Sequence, residues 1–425
     1  MPARLLLTFF LAFTCAAQDA GVLYKVLYSS DNTGLRYLGN MLEARPGLFY
    51  GVGGSSVLFS ITSEGTFKEV YTVPGASNNY VGSLVQSTNG KLYGTGGSAN
   101  GNYYFSIATS GQDFQQYMFP SQWGSLYTTI VVPPNYIYDL LGGYTGYDNN
   151  IYELARIDDS AQVTLLHQFS VAEGVPNPYS NLVYALDGNI YGIGNQSYNE
   201  VSSEFIYRFT PFGAYSRLVN FSGFTGGFNK QMVAGSDGNL YGSVQGFTTG
   251  LLFEASQSGQ AQVLADFQMG FEPDSLVQAS DGNLYGSTNT SSYIFRYDLA
   301  QQRLSAVYQL PLATCYCQLI QGMDGKLYGV GTFEIFSLNL GLPKPLPLIS
   351  GLYPNSGPTG QKVILWGNYL LGPTSVTFNG VAATDPVATS IRSVRVTVPP
   401  GATTGPVTIT TANGTYTTTQ PFTVE

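Results

Sequence analysis

The sequence predicts an all-β protein, a seven-bladed β-propeller followed by a small β-sandwich. Three observations carry that prediction. A short phrase recurs seven times, the N-terminal segment reads as a lone strand that the last repeat lacks, and beyond residue 341 the composition shifts to Thr, Val and Gly. Periods in the forties, each holding several short strands, are the signature of a propeller.

The phrase is clearest as Asp237-Gly238-Asn239-Leu240-Tyr241-Gly242 and Asp281-Gly282-Asn283-Leu284-Tyr285-Gly286. It recurs around Tyr93, Tyr191 and Tyr328, and in degenerate form as Pro46-Gly47-Leu48-Phe49-Tyr50-Gly51 and Pro134-Asn135-Tyr136-Ile137-Tyr138-Asp139. The aligned tyrosines fall at 50, 93, 138, 191, 241, 285 and 328, with spacings of 43, 45, 53, 50, 44 and 43 residues. Seven copies imply seven blades. In the fifth, Lys230–Ala234 is a short apolar strand, Asp237-Gly238 a hairpin turn with positive φ at low cost, and Leu240–Val244 the return strand. Gly250–Glu254 and Ala261–Phe267 supply the third and fourth strands. Adjacent Leu240 and Tyr241 point to opposite faces, so the second strand is buried on both, as stacked blades require.

The last period offers three strands, 318–321, 327–331 and 334–340. Residues 21–28 look like a fourth strand without a preceding three. The sequence therefore predicts a propeller over residues 18–341 that this strand clasps shut, removing an exposed edge. With the first strand of each blade innermost, the Asp-Gly turns share one face. Long variable loops (74–80, 120–123, 172–179, 222–228, 269–273 and 312–317) share the other, around the channel mouth, where a ligand site is expected. Residues 1–17 read as a signal peptide: Arg4, an apolar run from Leu5 to Phe13, and Cys15-Ala16-Ala17 as cleavage site. No later segment approaches the roughly 18 apolar residues of a spanning helix. A secreted or cell-surface location is the expectation.

Charged residues make up 10 % of the chain, against roughly 25 % in an average soluble protein. Net charge is −9 with only 17 Lys and Arg, so no basic face exists for phosphates, which argues against nucleic acid and anionic membrane as partners. After cleavage two cysteines remain, Cys315 and Cys317, too close in sequence to staple distant parts of a fold.

The Asp-Gly-Asn-Leu-Tyr-Gly units, with a Phe strand after each, resemble the GloVer-type tandem repeats of exported "choice-of-anchor" bacterial proteins across roughly residues 22–340. That resemblance implies an extracellular propeller and brings no functional residues with it. Residues 342–347 form a proline-rich linker. After them, Ile349-Ser350-Gly351-Leu352-Tyr353-Pro354-Asn355-Ser356-Gly357-Pro358 closely resembles the opening of IPT/TIG domains. Val376-Thr377-Phe378-Asn379-Gly380, Val398-Pro399-Pro400-Gly401-Ala402 and Pro421-Phe422-Thr423-Val424 match that family's later strands. The resemblance implies an immunoglobulin-like module over residues 348–425 that serves as a spacer or an adhesive unit.

Candidate chemistry is sparse. The Asp-Gly turns offer one or two oxygens each, where calcium needs about six, and plain turn chemistry accounts for them. His167, the single histidine, lies in a predicted outermost strand, which leaves no Ser-His or Cys-His pair and no His-rich metal site. Cys315 and Cys317 supply half a tetrahedral zinc site and read as small buried residues. Asp31, Glu173, Glu200, Glu204, Glu272 and Asp274 fall in or near the ligand-side loops, but nothing in their spacing marks the carboxylate pair of a glycosidase. No cofactor, metal or catalytic residue is assigned. Out-of-register aromatics place more on that face: Tyr80, Trp123, Tyr144, Tyr179 and Phe224 are the candidate ligand-binding residues, with Tyr103, Tyr104, Tyr147, Tyr198 and Phe228 beside them. Rings among Asn and Gln suit sugar stacking, and packing of the loops on one another explains them equally well. The expected function is non-enzymatic recognition of a carbohydrate or an extracellular protein surface. The alternatives are a propeller hydrolase or lyase acting on polysaccharide, and a structural cell-surface component.

Overall fold

A computed structural model describes residues 23–425 except 31–34, 36–37, 55, 74–79, 99, 120–124, 135, 145–149, 159, 161, 171, 177–179, 199–200, 222–229, 246–249, 268–272, 289–291 and 312–317. The described residues hold strands and turns and no α-helix. Seven antiparallel sheets follow one another along the chain. Blade 1 is built from Met41–Arg45, Leu48–Gly53, Val57–Thr62 and Phe67–Thr72, and blade 5 from Lys230–Ala234, Leu240–Gln245, Gly250–Ala255 and Ala261–Phe267. Blades 2, 3 and 6 repeat this order. In blade 4 two short strands, Val175–Pro176 and Val183–Tyr184, share the innermost place. Blade 7 takes three strands from Gln318–Gln321, Leu327–Val330 and Glu334–Asn339, and its fourth is Leu23–Ser29, antiparallel to Glu334–Asn339.

The apolar cores lie between blades rather than within them. Tyr50 and Leu58 of blade 1 pack with Leu92, Tyr103 and Phe105 of blade 2. Phe49 and Phe59 on the opposite side of blade 1 pack with Tyr328 and Val330 of blade 7. Similar clusters join blades 2 to 3, 3 to 4, 4 to 5, 5 to 6 and 6 to 7. Seven interfaces between seven sheets close a ring, and the chain is a seven-bladed propeller.

The recurring phrase explains itself in this packing. Asp237 Oδ1 accepts the Asn239 N–H at 3.0 Å, and Oδ2 accepts the Tyr241 hydroxyl at 2.6 Å. Asp187, Asp281 and Asp324 hold Tyr191, Tyr285 and Tyr328 the same way. Each of these turns anchors the tyrosine of its return strand, and both carboxylate oxygens are engaged in doing so. The turn is not the two-residue Asp-Gly hairpin that the sequence suggested. It spans Gly235 to Gly238, closed by Gly238 N–H to Gly235 O, and only the glycine has positive φ, 90°. The closing glycine of the phrase has a different reason. A Cβ on Gly242 would stand 2.1 Å from Phe253 Cζ, the ring directly across on the third strand. Gly51, Gly94, Gly192, Gly286 and Gly329 likewise face Phe59, Phe105, Tyr207, Phe295 and Phe336. Blade 3 exchanges both partners. Asp139 stands in the glycine's place, Ala155 stands opposite, and Asp139 Oδ2 accepts the Thr129 hydroxyl at 2.7 Å in a buried setting.

From Leu348 onward two further sheets face each other. One is ordered Leu348–Tyr353, Lys362–Asn368, Ser393–Thr397, Thr384–Ser390. The other is Val381–Ala382, Ser375–Phe378, Val407–Thr411, Gly414–Thr417. Val363, Leu365, Val376, Val394, Val396, Val407 and Ile409 alternate inward to make the core of this β-sandwich.

Candidate functional site

The two ends of the propeller channel differ. On the turn face, side chains of the innermost strands latch each blade to the one before it. Gln278 Oε1 accepts the Ser236 N–H of blade 5 while its Nε2 donates to its own turn at Gly282 O. Gln321 Oε1 accepts the Ser280 N–H of blade 6 and Nε2 donates to Gly325 O. At the ring closure the residue is Glu43, whose Oε2 accepts the Met323 N–H of blade 7 at 2.9 Å and whose Oε1 accepts the Gly47 N–H at 2.8 Å. Burial, with the nearby Asp324 carboxylate adding to it, pushes the Glu43 carboxyl up to about 7, and the two N–H donors oppose the rise.

The β-sandwich covers this end. Trp366 is buried among Tyr93 of blade 2, Val131 and Ile137 of blade 3 and Tyr184 of blade 4. The Thr389 carbonyl lies against the blade 2 turn at Gly90. On the far side of the ring, the Tyr369 hydroxyl donates to Gln321 O at 3.1 Å and Asn413 Nδ2 to Met323 O at 3.3 Å, both in blade 7. The proline-rich segment is tied down as well, its Pro343 carbonyl accepting the Ser280 hydroxyl of blade 6. Contacts with blades 2, 3 and 4 on one side and blade 7 on the other place the tip of the sandwich across the propeller axis. At that tip Ser390 pairs with Ser393, so Ile391 and Arg392 form a two-residue hairpin turn. Ile391 is buried and Arg392 is solvent-exposed. Desolvation by the protein packed around the tip holds the Arg392 guanidinium below its usual pKa.

Some of the aromatics expected from the sequence on the opposite, loop face lie in described strands. Tyr80 opens the innermost strand of blade 2, opposite Gly97, and Tyr144 ends the second strand of blade 3, opposite Asn150. Tyr198 ends the second strand of blade 4, opposite Val201. Trp123, Tyr179 and Phe224 lie outside the described residues, as do Tyr147, Phe228, Cys315 and Cys317. Tyr103 and Tyr104 do not belong to this face. They sit in Gly101–Ile107, the third strand of blade 2, where Tyr103 is fully buried and Tyr104 stacks between Tyr93 and Tyr117.

Of the acids, Glu204 and Asp274 are buried, while Asp31, Glu200 and Glu272 lie outside the described residues. Glu173 accepts the Ser170 N–H and hydroxyl and stands 3.5 Å from His167 Nε2. His167 lies in Val163–Gln168, the outermost strand of blade 3, stacked on Tyr215 and edged by Phe169. This cluster is a packing unit on the rim. Among the described residues no three His, Cys, Asp or Glu side chains gather as metal ligands, and no helix is long and apolar enough to cross a membrane. The signal that sequence reasoning missed is Arg392, which looks in sequence like any charged residue at a hairpin tip.

Comparison with known proteins agrees with this architecture. The IPT/TIG domain family model matches residues 347–425. No curated protein sequence matches the chain. Among solved structures, a catalytically inactive histidine-to-alanine variant of virginiamycin B lyase from Staphylococcus aureus, with quinupristin, superposes with a TM-score of 0.57 at 15 % identity, covering 75 % of this chain and 99 % of the lyase. A streptogramin B lyase gives 0.54 at 15 % identity, over 75 % of this chain and 97 % of the other. The extracellular domain of a protein described as a hybrid two-component system from B. thetaiotaomicron gives 0.55 at 16 % identity, over 81 % of this chain and 46 % of that one. At these identities the likeness is one of fold. The chain is a β-propeller carrying an IPT/TIG domain at its C-terminal end.

Proposed function

We propose that this is an exported, non-enzymatic recognition protein that binds a carbohydrate or an extracellular protein surface through the loop face of its propeller. The observation that carries the reading is the asymmetry of the channel. The IPT/TIG domain occupies the turn face, which leaves the loop face as the end a partner can reach. On the sequence reading, Tyr80, Trp123, Tyr144, Tyr179 and Phe224 are the aromatic candidates for contact with that partner. The signal-peptide character of residues 1–17 and the resemblance to GloVer-type repeats support a secreted or cell-surface location.

A second reading, a lyase or hydrolase at the channel mouth, is favoured by the lyases among the structural neighbours. Against it, the virginiamycin B lyase variant that has alanine in place of a histidine is catalytically inactive, and the single histidine here lies on the outermost strand of blade 3.

The test is a glycan and polysaccharide binding screen with residues 18–425. Binding lost in Trp123→Ala or Tyr179→Ala supports the reading, and turnover of the bound sugar would favour the lyase instead. No binding across a broad panel sinks the carbohydrate form and directs the search to protein partners by pull-down.

A further inference from the structure

We propose that Arg392 forms an oxyanion-binding floor at the capped end of the propeller channel, suited to a small carboxylate or phosphate group that enters from the loop face. The inference does not depend on the aromatic loop-face site. It starts from placement. Arg392 is the second residue of the turn between Thr384–Ser390 and Ser393–Thr397, at the tip that the sandwich lays across the ring. Its neighbours Ile391 and Ser393 are buried, and together with Trp366 and Tyr369 they fix the tip against blades 2, 3, 4 and 7. The Arg392 backbone carbonyl accepts the Gly367 N–H at 2.9 Å, and its own N–H is held by the Ser390 hydroxyl at 3.1 Å. These bonds fix the turn, and the Arg392 guanidinium is the exposed charged group at its tip.

The second observation is the missing counter-charge. Among the described residues no carboxylate stands within 4.0 Å of the Arg392 guanidinium, whereas Arg296 holds Asp298 at 2.9 Å. Glu43, a carboxylate of the same face, is turned to the N–H groups of Gly47 and Met323. The Tyr369 phenol beside Arg392 is kept neutral by burial, which lifts its pKa to about 12. An exposed guanidinium at a fixed tip, with no carboxylate within 4.0 Å among the described residues, is a poor arrangement for a mere cap. It is a good one for receiving an anion, because the planar fork of donors matches a carboxylate or phosphate bidentately. In a chain of net charge −9, a cation at this point offsets locally the general repulsion of anions.

The experiment titrates the full chain with D-galacturonate, inorganic phosphate and neutral D-galactose, read by calorimetry and by protein NMR. Anion binding to the wild type should weaken about tenfold in Arg392→Gln, the loss of one charge-assisted contact, and survive in part in Arg392→Lys. The ratio of galacturonate to phosphate affinity tells whether the group received is a carboxylate or a phosphate. Because Arg392 is exposed at a turn, both variants should melt as the wild type does, so folding does not confound the reading. Equal anion binding in Arg392→Gln, equal binding of galactose and galacturonate, or no anion binding in the millimolar range would each overturn the proposal. Anion affinity unchanged in Arg392→Gln beside a positive loop-face glycan screen would overturn it while leaving that other site standing.

Discussion

Glu43 stands where Gln278 and Gln321 stand in their blades, but it carries a carboxyl that the fold holds at a pKa of about 7 from an ordinary value of 4.5. Between those values the folded chain binds the proton more tightly than the unfolded chain. Stability contributed by the neutral acid is therefore present below about pH 4.5 and lost as pH rises toward 7, by about 3 kcal/mol in all. Glu43→Gln should remove that dependence, so that the difference in melting temperature between pH 5 and pH 8 shrinks relative to wild type. An unchanged difference would assign the pH response elsewhere. A second test at this scale concerns Gly242. Gly242→Ala should cost about 1–3 kcal/mol by overpacking and Phe253→Ala about 3–5 kcal/mol by its cavity. The double variant should be less destabilised than their sum, because the new methyl enters the space the ring has left. Chemical denaturation of the four proteins measures the coupling. Blade 3, with Asp139 facing Ala155, already carries a paired exchange at this site.

Strand by strand, the sequence was readable wherever a period repeats it. The Asp-Gly-x-Leu-Tyr-Gly phrase marks the second strand because its turn, its two-faced burial and its glycine each leave a residue behind. The N-terminal strand was visible by the same logic, as a partner for a blade one strand short. What was not legible depends on contacts far apart in sequence. Tyr103 and Tyr104 break the tyrosine register and look like loop aromatics, yet cross-strand packing with Tyr93 and Tyr117 buries them. The four-residue turn hid behind a two-residue motif, since its first member is Gly235, Ser87, Ala185, Ala279 or Gly322 in different blades. The strand pairing invites a direct test. Removing Leu23–Ser29 uncovers the Glu334–Asn339 edge and deletes two buried side chains, Leu27 and Tyr28, for about 3–6 kcal/mol. Such a chain should melt lower and associate through the bare edge in sedimentation, and a synthetic peptide of residues 21–30 should reverse both effects.

On the scale of the whole molecule, the C-terminal domain is docked rather than tethered. Trp366, buried in a cluster that draws on blades 2, 3 and 4, is the largest side chain of that junction. The wild type should therefore unfold in one calorimetric transition. Trp366→Ala, costing about 3–5 kcal/mol at the interface, should split it into separate propeller and sandwich transitions. A single unshifted transition in the variant would show that the domains are coupled through other contacts. None of this was open to a reading of sequence, because Trp366 sits in a strand whose alternation looks like that of any sandwich. Its partners, from Tyr93 to Tyr184, belong to blades made far earlier in the chain.

The clasp that joins the two ends of the ring also sets a timetable. Tyr24 hydrogen-bonds Glu334, 310 residues away, so the strand Leu23–Ser29 is made well before its partner. At about 5–20 residues per second, it waits roughly 15–60 s for its partner to be made. During that interval blades 1 to 6 exist without closure, and a nascent chain that stalls before residue 334 leaves Leu23–Ser29 with no strand to pair with.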